Sequence, residues 1–344
     1  MKYYIMNKIL ITGTAGFIGN ALSRKLLASE NNVIFGIDNH NNYYSTSLKD
    51  DRLKLISGFK NYTHHRIDIS NKESLEKIFF NFKPDYVINL SAQAGVRFSI
   101  ENPHTYIQSN VVGFVNILEL SRLCKVKHLI YASSSSVYGS SSKFPYSTSD
   151  NVDHPKSIYA ATKKSNELMA HVYSDLYNLP TTGLRFFTVY GPWGRPDMAL
   201  FKFTKSILNN EPIDVYNYGN HKRDFTYIDD IIDGLIKVIF TPAEPNLNWN
   251  DINPDPSSSN IPWKIYNLGN NVPISLIDFI ETIEKHLNKK AIINFLPMQK
   301  GDVLETFANI DDAKNVFGYQ PKININTGVL NFVNWYKDYY KINL

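Results

Sequence analysis

Three glycines near the start of the chain constrain its fold more than any other feature. Gly13, Gly16 and Gly19 follow the apolar, β-branched run Ile9–Thr12, and a helical pattern of apolar residues begins directly after them. A strand–turn–helix of this kind presents backbone N–H groups and the positive end of a helix dipole to a phosphate. Gly13 would permit a tight turn, Gly16 the close approach of a pyrophosphate, and Gly19 close packing of the helix on the strand. The spacing is Gly-x-x-Gly-x-x-Gly rather than Gly-x-Gly-x-x-Gly, so a glycine-rich turn without a ligand stays an alternative at this point.

The first half of the chain alternates apolar strands with helical segments. Such a pattern indicates a parallel sheet covered by helices on both faces, and ligands of such sheets bind beyond the carboxyl ends of the strands. We therefore predict an α/β fold, a Rossmann-type doubly wound parallel sheet with a smaller α/β substrate-binding domain. After the glycine turn, the predicted strands are Val33–Ile37, Tyr62–Ile67, Tyr86–Leu90 and His128–Ala132, and the predicted helices lie around Leu75–Phe80 and Tyr106–Leu120.

Composition excludes several classes of protein. With 43% hydrophobic and 20% charged residues, the chain of 344 residues is typical of a globular protein and not of a disordered one. Its net charge of +4 is not gathered in a long run of like charge, so we expect no nucleic-acid partner. Cys124 is the only cysteine, which excludes a disulfide framework within the chain and favours a reducing compartment. No apolar run approaches a membrane span, and Met1–Asn7 lacks the apolar core of a signal peptide, so we expect a cytoplasmic protein with no membrane partner.

We also expect neither a metal site nor a serine hydrolase. His64 and His65 are adjacent, so on a strand their side chains point to opposite faces and cannot chelate together. The other histidines lack the spacing of metal ligands. No Gly-x-Ser-x-Gly elbow is present, so the serines are not hydrolase nucleophiles.

Two carboxylates stand at the ends of the second and third predicted strands. Asp38 follows Val33–Ile37 and lies 22 residues after Gly16. A carboxylate in this position accepts hydrogen bonds from both ribose hydroxyls of a dinucleotide and repels a 2′-phosphate, which favours NAD over NADP. The alternative for Asp38 is a surface residue that begins a polar loop. Asp68 either meets the adenine or caps a helix that begins near Ser70.

A serine loop and a Tyr-x-x-x-Lys pair form the second group of candidate residues. Ser133–Gly139 follows the predicted strand His128–Ala132, and Tyr159 and Lys163 stand four residues apart in an amphipathic segment. On a helix the last two side chains share one face. A free tyrosine is a poor base because its pKa is about 10, but a neighbouring ammonium and a positive nicotinamide ring would lower that pKa. We therefore predict that Tyr159 is a general base and that a hydroxyl of the serine loop bridges the same substrate oxygen.

Together these motifs resemble the extended short-chain dehydrogenase/reductase superfamily over the length of the chain. Within it, the chain most resembles nucleotide-sugar epimerases of the UDP-glucuronate 4-epimerase type, the capsular polysaccharide biosynthesis group. The glycine, serine and Tyr-x-x-x-Lys motifs identify only the superfamily. The narrower resemblance rests on Asp38–Tyr44, Ala92–Arg97, Gly191–Met198, Pro212–Tyr216, Arg223–Ile228 and the Asn/Pro/Ser-rich insertion Pro245–Pro262.

The resemblance implies tightly held NAD and two domains. Residues 1–190 are expected to form the NAD-binding Rossmann domain, with return segments near 219–244 and 264–270, and residues 191–344 mainly the nucleotide-sugar-binding domain. The catalytic residues implied are Ser134, Tyr159 and Lys163. The cofactor-binding residues implied are Gly13, Gly16, Phe17, Ile18, Gly19, Asp38, Asn39, Asp68, Ile69, Leu90, Ala92, Asn110, Tyr159, Lys163 and Phe186.

On the substrate side, the resemblance implies that Ser135 and Ser136 face the sugar. Related sugar dehydratases and decarboxylases carry an acid at this pair of positions, and neither serine can supply a carboxyl proton, which argues against both reactions. Thr188 occupies the position of an asparagine in many UDP-hexose 4-epimerases, and its shorter hydroxyl would leave room for a sugar carboxylate. The substrate-binding residues implied are Arg97, Ser134, Ser135, Ser136, Tyr159, Thr188, Arg195, Tyr216, Arg223, Gln299 and Asp302.

The second half of the chain is expected to complete the substrate site. Arg223 resembles the arginine that clamps the diphosphate, and a salt bridge to Asp224 or Asp229 is the alternative. Gln299 stands where UDP-hexose epimerases often have an arginine, which leaves the nucleotide contacts open. The predicted elements are a helix at Met198–Leu208, a strand at Ile213–Tyr216, a helix at Ile228–Phe240 and a surface loop over Thr241–Pro262.

The implied reaction is NAD-dependent 4-epimerisation of a UDP-sugar, most like UDP-glucuronate to UDP-galacturonate, through a transient 4-keto intermediate. UDP-glucose and UDP-N-acetylglucosamine are alternative substrates. A non-catalytic NAD-binding regulator of the same fold is the alternative from a different class, and the intact set Ser134, Tyr159 and Lys163 argues against it. The resemblance also implies a homodimer that pairs through helices at Thr105–Leu120 and Ser157–Tyr177.

Overall fold

The computed structural model describes residues 6–299 and 301–342. The prediction about Met1–Asn7 therefore lies almost wholly outside the described residues, and Lys300, which follows the predicted substrate-binding residue Gln299, lies outside them as well. Within the described residues, the strands of the first half of the chain lie in one parallel sheet.

Twelve strands are present in the described part of the chain. Seven of them pair side by side, in parallel, in the order β10-β6-β5-β4-β1-β2-β3. The strands are β1 (Asn7–Thr12), β2 (Asn32–Asp38), β3 (Tyr62–Arg66), β4 (Tyr86–Asn89), β5 (His128–Ser134), β6 (Thr181–Phe186), β7 (Thr188–Tyr190), β8 (Pro212–Tyr216), β9 (Lys222–Tyr227), β10 (Trp263–Leu268), β11 (Pro273–Ser275) and β12 (Ile292–Leu296).

The α-helices cover both faces of this sheet and build a smaller layer at its carboxyl edge. They are α1 (Phe17–Leu27), α2 (Thr46–Lys54), α3 (Lys72–Phe82), α4 (Phe98–Glu101), α5 (Pro103–Tyr106), α6 (Gly113–Leu123), α7 (Ile158–Tyr177), α8 (Ala199–Asn209), α9 (Ile228–Ile239), α10 (Leu276–Leu287), α11 (Asp311–Phe317) and α12 (Ile325–Tyr340).

The strand order makes this a doubly wound sheet, as the sequence predicts. Helices α1 and α9 pack together on one face, and α3, α6 and α7 pack on the other. Each face has its own buried apolar core, with Leu22 and Ile231 in one and Leu75 and Phe114 in the other. The order reverses between β1 and β4, and in a sheet of this type a ligand binds at that point, beyond the carboxyl ends of the strands.

A smaller layer stands over the carboxyl edge. Strands β7, β9 and β11 form one small sheet, and β8 pairs with β12 in another. Helix α10 packs on α8 and α12 beside them. A cavity lies between this layer and the large sheet.

The predicted helix at Tyr106–Leu120 differs from the structure. Two short helices, α4 and α5, come first, a π-helical turn follows over Ile107–Val112, and regular helix begins only at Gly113. Close packing on the preceding connection explains the glycine, because a Cβ at Gly113 would approach the Ile69 side chain to 2.6 Å. The π-helical turn carries Asn110, whose side chain is fully used inside the protein, as described below.

The predicted surface loop at Thr241–Pro262 is irregular, apart from a single bridge between Ser258 and Lys264. Asp255 anchors its second half by accepting hydrogen bonds from the hydroxyls of Ser257 and Ser258. Its first half exposes large apolar side chains, and Leu247 is 93% exposed.

Candidate active site

One cavity of about 990 Å³ gathers the predicted site residues. It lies at the carboxyl edge of the large sheet, where the strand order reverses, and the smaller layer forms its opposite wall. All the predicted catalytic residues line it, as do the predicted cofactor-binding and substrate-binding residues other than Asn110 and Gln299.

The glycine turn forms the phosphate-binding end of this cavity. Gly13 has a φ of +81°, a conformation that favours glycine. A Cβ at Gly16 or Gly19 would lie 2.9 Å or 2.1 Å from the Gly13 carbonyl oxygen, so neither position accepts a side chain without movement. The first turn of α1 contains no acidic side chain and its N-terminus has no side-chain cap. The N–H groups of its first turn, which have no partner within the helix, can therefore bind a pyrophosphate.

Asp38 is placed to read a ribose. The carboxylate is 8% exposed, which contradicts the alternative of a surface residue. Its Oδ2 accepts from the Ala15 N–H at 3.1 Å and its Oδ1 from the His40 N–H at 2.8 Å. Each oxygen keeps a further lone pair for a ribose hydroxyl, whereas a 2′-phosphate would meet a negative charge. The residues of this end of the cavity therefore fit NAD.

Asp68 lines the same end, together with Asn39 and Ile69. It does not cap the next helix, because α3 begins at Lys72 and its N-cap is Asn71. Burial alone would raise the pKa of Asp68, but hydrogen bonds from the Asn39 amide at 2.8 Å and from Ser70 lower it overall. Asp68 is therefore a fixed, charged acceptor beside the cavity.

The predicted catalytic residues meet near the middle of the cavity. Ser157 caps α7 by accepting from the Ala160 N–H at 3.1 Å, which places Tyr159 in the first turn and Lys163 one turn later. The Lys163 ammonium is 2% exposed and donates to the Ala132 carbonyl oxygen at 2.8 Å. Ser134 follows on the same strand, and its Oγ accepts from the Ser136 N–H at 3.1 Å.

The electrostatics of this group differ from the sequence prediction. Burial raises the pKa of Tyr159, and the opposing influences are a hydrogen bond with Ser134 and the positive charge of Arg195. Burial also lowers the pKa of Lys163, to about 8. The Arg195 charge therefore favours the Tyr159 phenolate, and burial makes the charged form of the expected partner, Lys163, less stable than in water.

Three hydroxyl groups and the Arg195 guanidinium line the same cavity. Ser135 and Ser136 form the first turn after β5, and Thr188 begins β7. Arg195 lines the cavity as well and forms an ion pair with Asp197, from Arg195 Nε to Asp197 Oδ1 at 3.0 Å. This arrangement can hold a sugar carboxylate by several donors.

At the far end, Arg223 faces the cavity and forms no salt bridge with any residue that the structure describes. Its guanidinium donates to the carbonyl oxygens of Val303 at 2.8 Å and Leu304 at 3.1 Å. The predicted alternative of a salt bridge is wrong. Asp224 is fully buried and accepts from the backbone at Asn270, Asn271 and Ala308 instead, and Asp229 lines a separate small cavity beside α1.

Arg97, Tyr216 and Asp302 form a second group near Arg223. The Arg97 guanidinium lies 4.8 Å from the centre of the Tyr216 ring and 3.2 Å from the Asp302 carboxylate. A flat aromatic ring and two guanidinium groups suit a nucleobase and a diphosphate.

The structure does not place Asn110 or Gln299 at the cavity. The Asn110 side chain accepts from the Gln93 N–H at 2.8 Å and donates to the Gln93 carbonyl and the Thr162 hydroxyl. It therefore braces the segment after β4 against α7. The side-chain oxygen of Gln299 is buried and has no hydrogen-bond partner among the described residues.

Two buried arginines support the site, and the sequence analysis identified neither of them. Arg52 in α2 has no exposed surface and donates to the carbonyls of Ala15, Trp193 and Gly194, so it joins the glycine turn to the Arg195 segment. Arg185 in β6 pairs with Glu167 in α7, behind the serine loop. From sequence alone, charged residues in such segments are expected to be exposed to solvent.

The described residues contain no group of three side chains that could hold a metal ion. Within residues 6–299 and 301–342, no helix has both the length and the apolar character that a membrane crossing requires.

Comparison with known proteins identifies the family. A protein from Staphylococcus aureus called Protein CapI is 59% identical over 97% of this chain and 99% of its own length. A probable UDP-glucuronate 4-epimerase from Rhizobium meliloti is 44% identical over 97% of this chain and 98% of its own. The crystal structure of UDP-glucuronic acid 4-epimerase from Bacillus cereus with UDP-glucuronic acid and NAD matches with a TM-score of 0.85 and 32% identity, and the match covers 97% of this chain and 100% of that one. The model of the NAD dependent epimerase/dehydratase family matches residues 9–250, more than half of the chain, and this chain therefore belongs to that family.

Proposed function

We propose that this chain interconverts UDP-glucuronate and UDP-galacturonate by 4-epimerisation. The observation that carries the proposal is the convergence of Ser135, Ser136, Thr188 and Arg195 on the cavity that also contains Tyr159. Hydroxyl groups and a guanidinium suit a sugar carboxylate. A neutral hexose would offer no charged acceptor to the three hydroxyls or to the Arg195 N–H groups that Asp197 leaves over. The similarity to named UDP-glucuronate 4-epimerases supports the same substrate.

The glycine turn and Asp38 would hold NAD, whose pyrophosphate and ribose they fit. The chemistry that bound NAD supplies is reversible hydride acceptance at carbon 4 of the sugar. Tyr159 removes the proton of the 4-hydroxyl, and Ser134 orients or relays that proton. Arg223, Arg97 and Tyr216 anchor the UDP portion while the 4-keto sugar turns, so that the second half-reaction occurs on the opposite face.

The carboxylate donors have a second task. A 4-keto uronate is a β-keto acid, which tends to lose carbon dioxide. Hydrogen bonds from Thr188 and Arg195 to the ionised carboxylate favour that charged form over neutral carbon dioxide. The same donors would therefore select a uronate and prevent its decarboxylation.

Substrate comparison tests this proposal. UDP-glucuronate, UDP-glucose and UDP-N-acetylglucosamine are supplied in parallel, and the products are resolved by NMR. Thr188→Ala and Arg195→Ala should lower activity on UDP-glucuronate far more than on UDP-glucose, and at least one should release UDP-4-keto-pentose, seen by mass spectrometry. Equal losses on both sugars, with no decarboxylated product, would favour UDP-glucose or UDP-N-acetylglucosamine as the substrate. Failure of every UDP-sugar to react would favour a non-catalytic NAD-binding regulator.

For the domain organisation, we propose that residues 1–190 form the NAD-binding domain and that 191–344 form mainly the sugar-nucleotide domain. Return of the chain to the first domain is supported by the packing of α9 on α1 and the pairing of β10 with β6. Cleavage at exposed loops, followed by tests of which fragment retains NAD, would check these boundaries.

We further propose that the protein is a homodimer in the cytoplasm. Helix α7 exposes Leu168, Val172 and Leu176 at four-residue intervals, with exposures of 57%, 49% and 64%. Such a stripe on one helix face suits burial against a second copy. Light scattering should report a dimer for the native protein and a monomer for Leu168→Asp/Val172→Asp, whereas Leu247→Asp, at another exposed leucine, should stay dimeric. The single cysteine, Cys124, is free and suits a reducing compartment.

A further inference from the structure

The guanidinium of Arg195 is already paired before any ligand is considered. Its Nε donates to Asp197 Oδ1 at 3.0 Å and its Nη2 donates to Asp197 Oδ2. The two side chains are 24% and 21% exposed, so water screens their attraction only partly. Because an arginine has five N–H donors, this pair leaves Nη1 and one Nη2 hydrogen for a substrate. The net charge of the pair is close to zero.

Asp197 has a further partner from a distant part of the chain. The Tyr43 hydroxyl, in the loop after β2, donates to Asp197 Oδ2 at 3.3 Å. Tyr43 is itself held in place, since the centre of its ring lies 4.9 Å from that of Phe98. Its hydroxyl also packs closely on Gly95, because a Cβ at Gly95 would lie only 2.7 Å from it. Burial and the negative charge of Asp197 raise the pKa of Tyr43, so this hydroxyl stays protonated and keeps its donor.

Several titratable groups surround the Arg195–Asp197 pair and Tyr159. The elements packed around Arg195 contribute Tyr43, Tyr44, Lys49 and Tyr106 as well as Tyr159. Around Tyr159, the titratable and charged groups include Tyr106, whose ring centre lies 6.0 Å from that of Tyr159, and Arg195, and the neutral Ser134 hydroxyl lines the same cavity. Lys163, one turn along α7, directs its ammonium to the Ala132 carbonyl. Arg195, Asp197 and Tyr159 line the same cavity, and the Arg195 charge favours the Tyr159 phenolate. Asp197 pairs with Arg195 and therefore offsets a cation that acts on Tyr159.

We propose that Asp197, held by Tyr43, is a positioning residue that sets how much of the Arg195 positive charge reaches Tyr159 and the substrate carboxylate. With Asp197 ionised, Arg195 acts on the site mainly as a directed hydrogen-bond donor. Without that charge it acts as a full cation. The part of this inference that concerns a sugar carboxylate rests on the proposed function, and the part that concerns Tyr159 does not.

Two substitutions should act in opposite directions. Asp197→Asn keeps the size of the side chain and removes the negative charge, so Arg195 should favour the Tyr159 phenolate more strongly. The acid limb of the kcat/KM pH profile should move down by about one pH unit, the low end of what a nearby opposite charge produces. Tyr43→Phe leaves Asp197 with less hydrogen bonding, so its charge offsets Arg195 more fully. The acid limb should then move up by about 0.3 unit.

The profile can be measured with whichever UDP-sugar the protein turns over. If no sugar reacts, the tyrosinate absorbance of Tyr159 serves instead, taken as the difference between each protein and the same protein with Tyr159→Phe. Asp214→Asn is the control, because Asp214 lines the same cavity but accepts from the Asn294 amide at 2.8 Å rather than from Arg195. This control should not move the acid limb.

Opposite shifts support the proposal. Shifts in the same direction, or no shift in either variant, overturn it, since a purely structural role for Asp197 predicts no sign change. If Asp197→Asn does not fold, Tyr43→Phe decides alone, and anything other than an upward shift overturns the proposal. With UDP-glucuronate, Asp197→Asn should also lower KM several-fold relative to UDP-glucose. If the pH shifts appear without this preference, the uronate assignment fails and the role of Asp197 toward Tyr159 stands.

Discussion

Replacing Glu167 by glutamine removes one charge from a buried ion pair directly behind the serine loop. Glu167 and Arg185 are 1% and 0% exposed, and two N–H···O bonds of 2.9 Å join them. Glu167 also accepts from the Ser133 hydroxyl at 2.6 Å, next to Ser134. Burial alone would raise the pKa of Glu167, but Arg185 and the Ser133 hydroxyl lower it, so the carboxylate is charged at neutral pH.

The size of the effect follows from what the glutamine leaves behind. The amide oxygen of the glutamine can still accept from Arg185, but the amide NH₂ group would face a guanidinium donor. The Arg185 charge would then have no buried counterion. Breaking a buried pair in this way costs about 3–5 kcal/mol. An unfolding entropy of roughly 2.1 cal/mol/K per residue gives about 0.7 kcal/mol/K for 344 residues, so Tm should fall by about 4–7 °C.

Differential scanning calorimetry of the purified proteins provides the measurement. Glu73→Gln is the matched control, because Glu73 also lies on a helix and pairs with a lysine, Lys77, but both side chains are at least 70% exposed. The control should leave Tm unchanged within error. In addition, Glu167→Gln/Arg185→Met should be more stable than Glu167→Gln, since the uncompensated charge is gone. A Tm for Glu167→Gln within 1 °C, about 0.7 kcal/mol, of the native protein would refute this reasoning.

Three further predictions concern the base, the cofactor and the pH dependence of stability. Tyr159→Phe keeps the ring and removes the phenolic hydroxyl, so turnover should fall about a hundredfold or more in a product assay by NMR; near-native turnover would mean that another group is the base. The protein as purified should carry NAD(H) and not NADP(H) in an enzymatic cofactor assay, and Asp38→Ala should retain less of it; recovery of NADP(H) from the native protein would contradict the role of Asp38. Burial lowers the pKa of His128 to about 4, whereas the unfolded state has the ordinary pKa of about 6.5. Between pH ~6.5 and pH ~4, therefore, His128 binds a proton in the unfolded state but not in the folded state. In urea unfolding, the free energy of unfolding should therefore fall as the pH drops through this window, and protonation of His128 should account for a loss of about 3 kcal/mol by pH ~4. His128→Gln should show a smaller decrease of this free energy with falling pH. An unchanged decrease would mean that His128 is not the group responsible.

The sequence could predict the features that depend on short stretches of chain. The strand–glycine turn–helix needs only local backbone geometry, so Gly13, Gly16 and Gly19 lie where their spacing indicates. The position of Asp38 could be predicted because it ends β2, and the carboxyl ends of parallel strands share one edge of the sheet. Tyr159 and Lys163 share a helix face because they are four residues apart. These positions required no knowledge of distant contacts.

Only the tertiary structure decided which groups these residues meet. Asn110 turns inward to Gln93 because a π-helical turn and the packing of α7 place it there. Arg195 is paired with Asp197, and that carboxylate is held by Tyr43 from a segment more than 150 residues away. The pKa of Tyr159 and of Lys163 follows burial, which several distant elements create together. Desolvation and charge pairing depend on distances in space, whereas a sequence pattern reports only distances along the chain. The sequence by itself therefore determined the class of fold and the identity of most site residues, and the packed structure determined their charge, their partners and the face each one presents to the cavity.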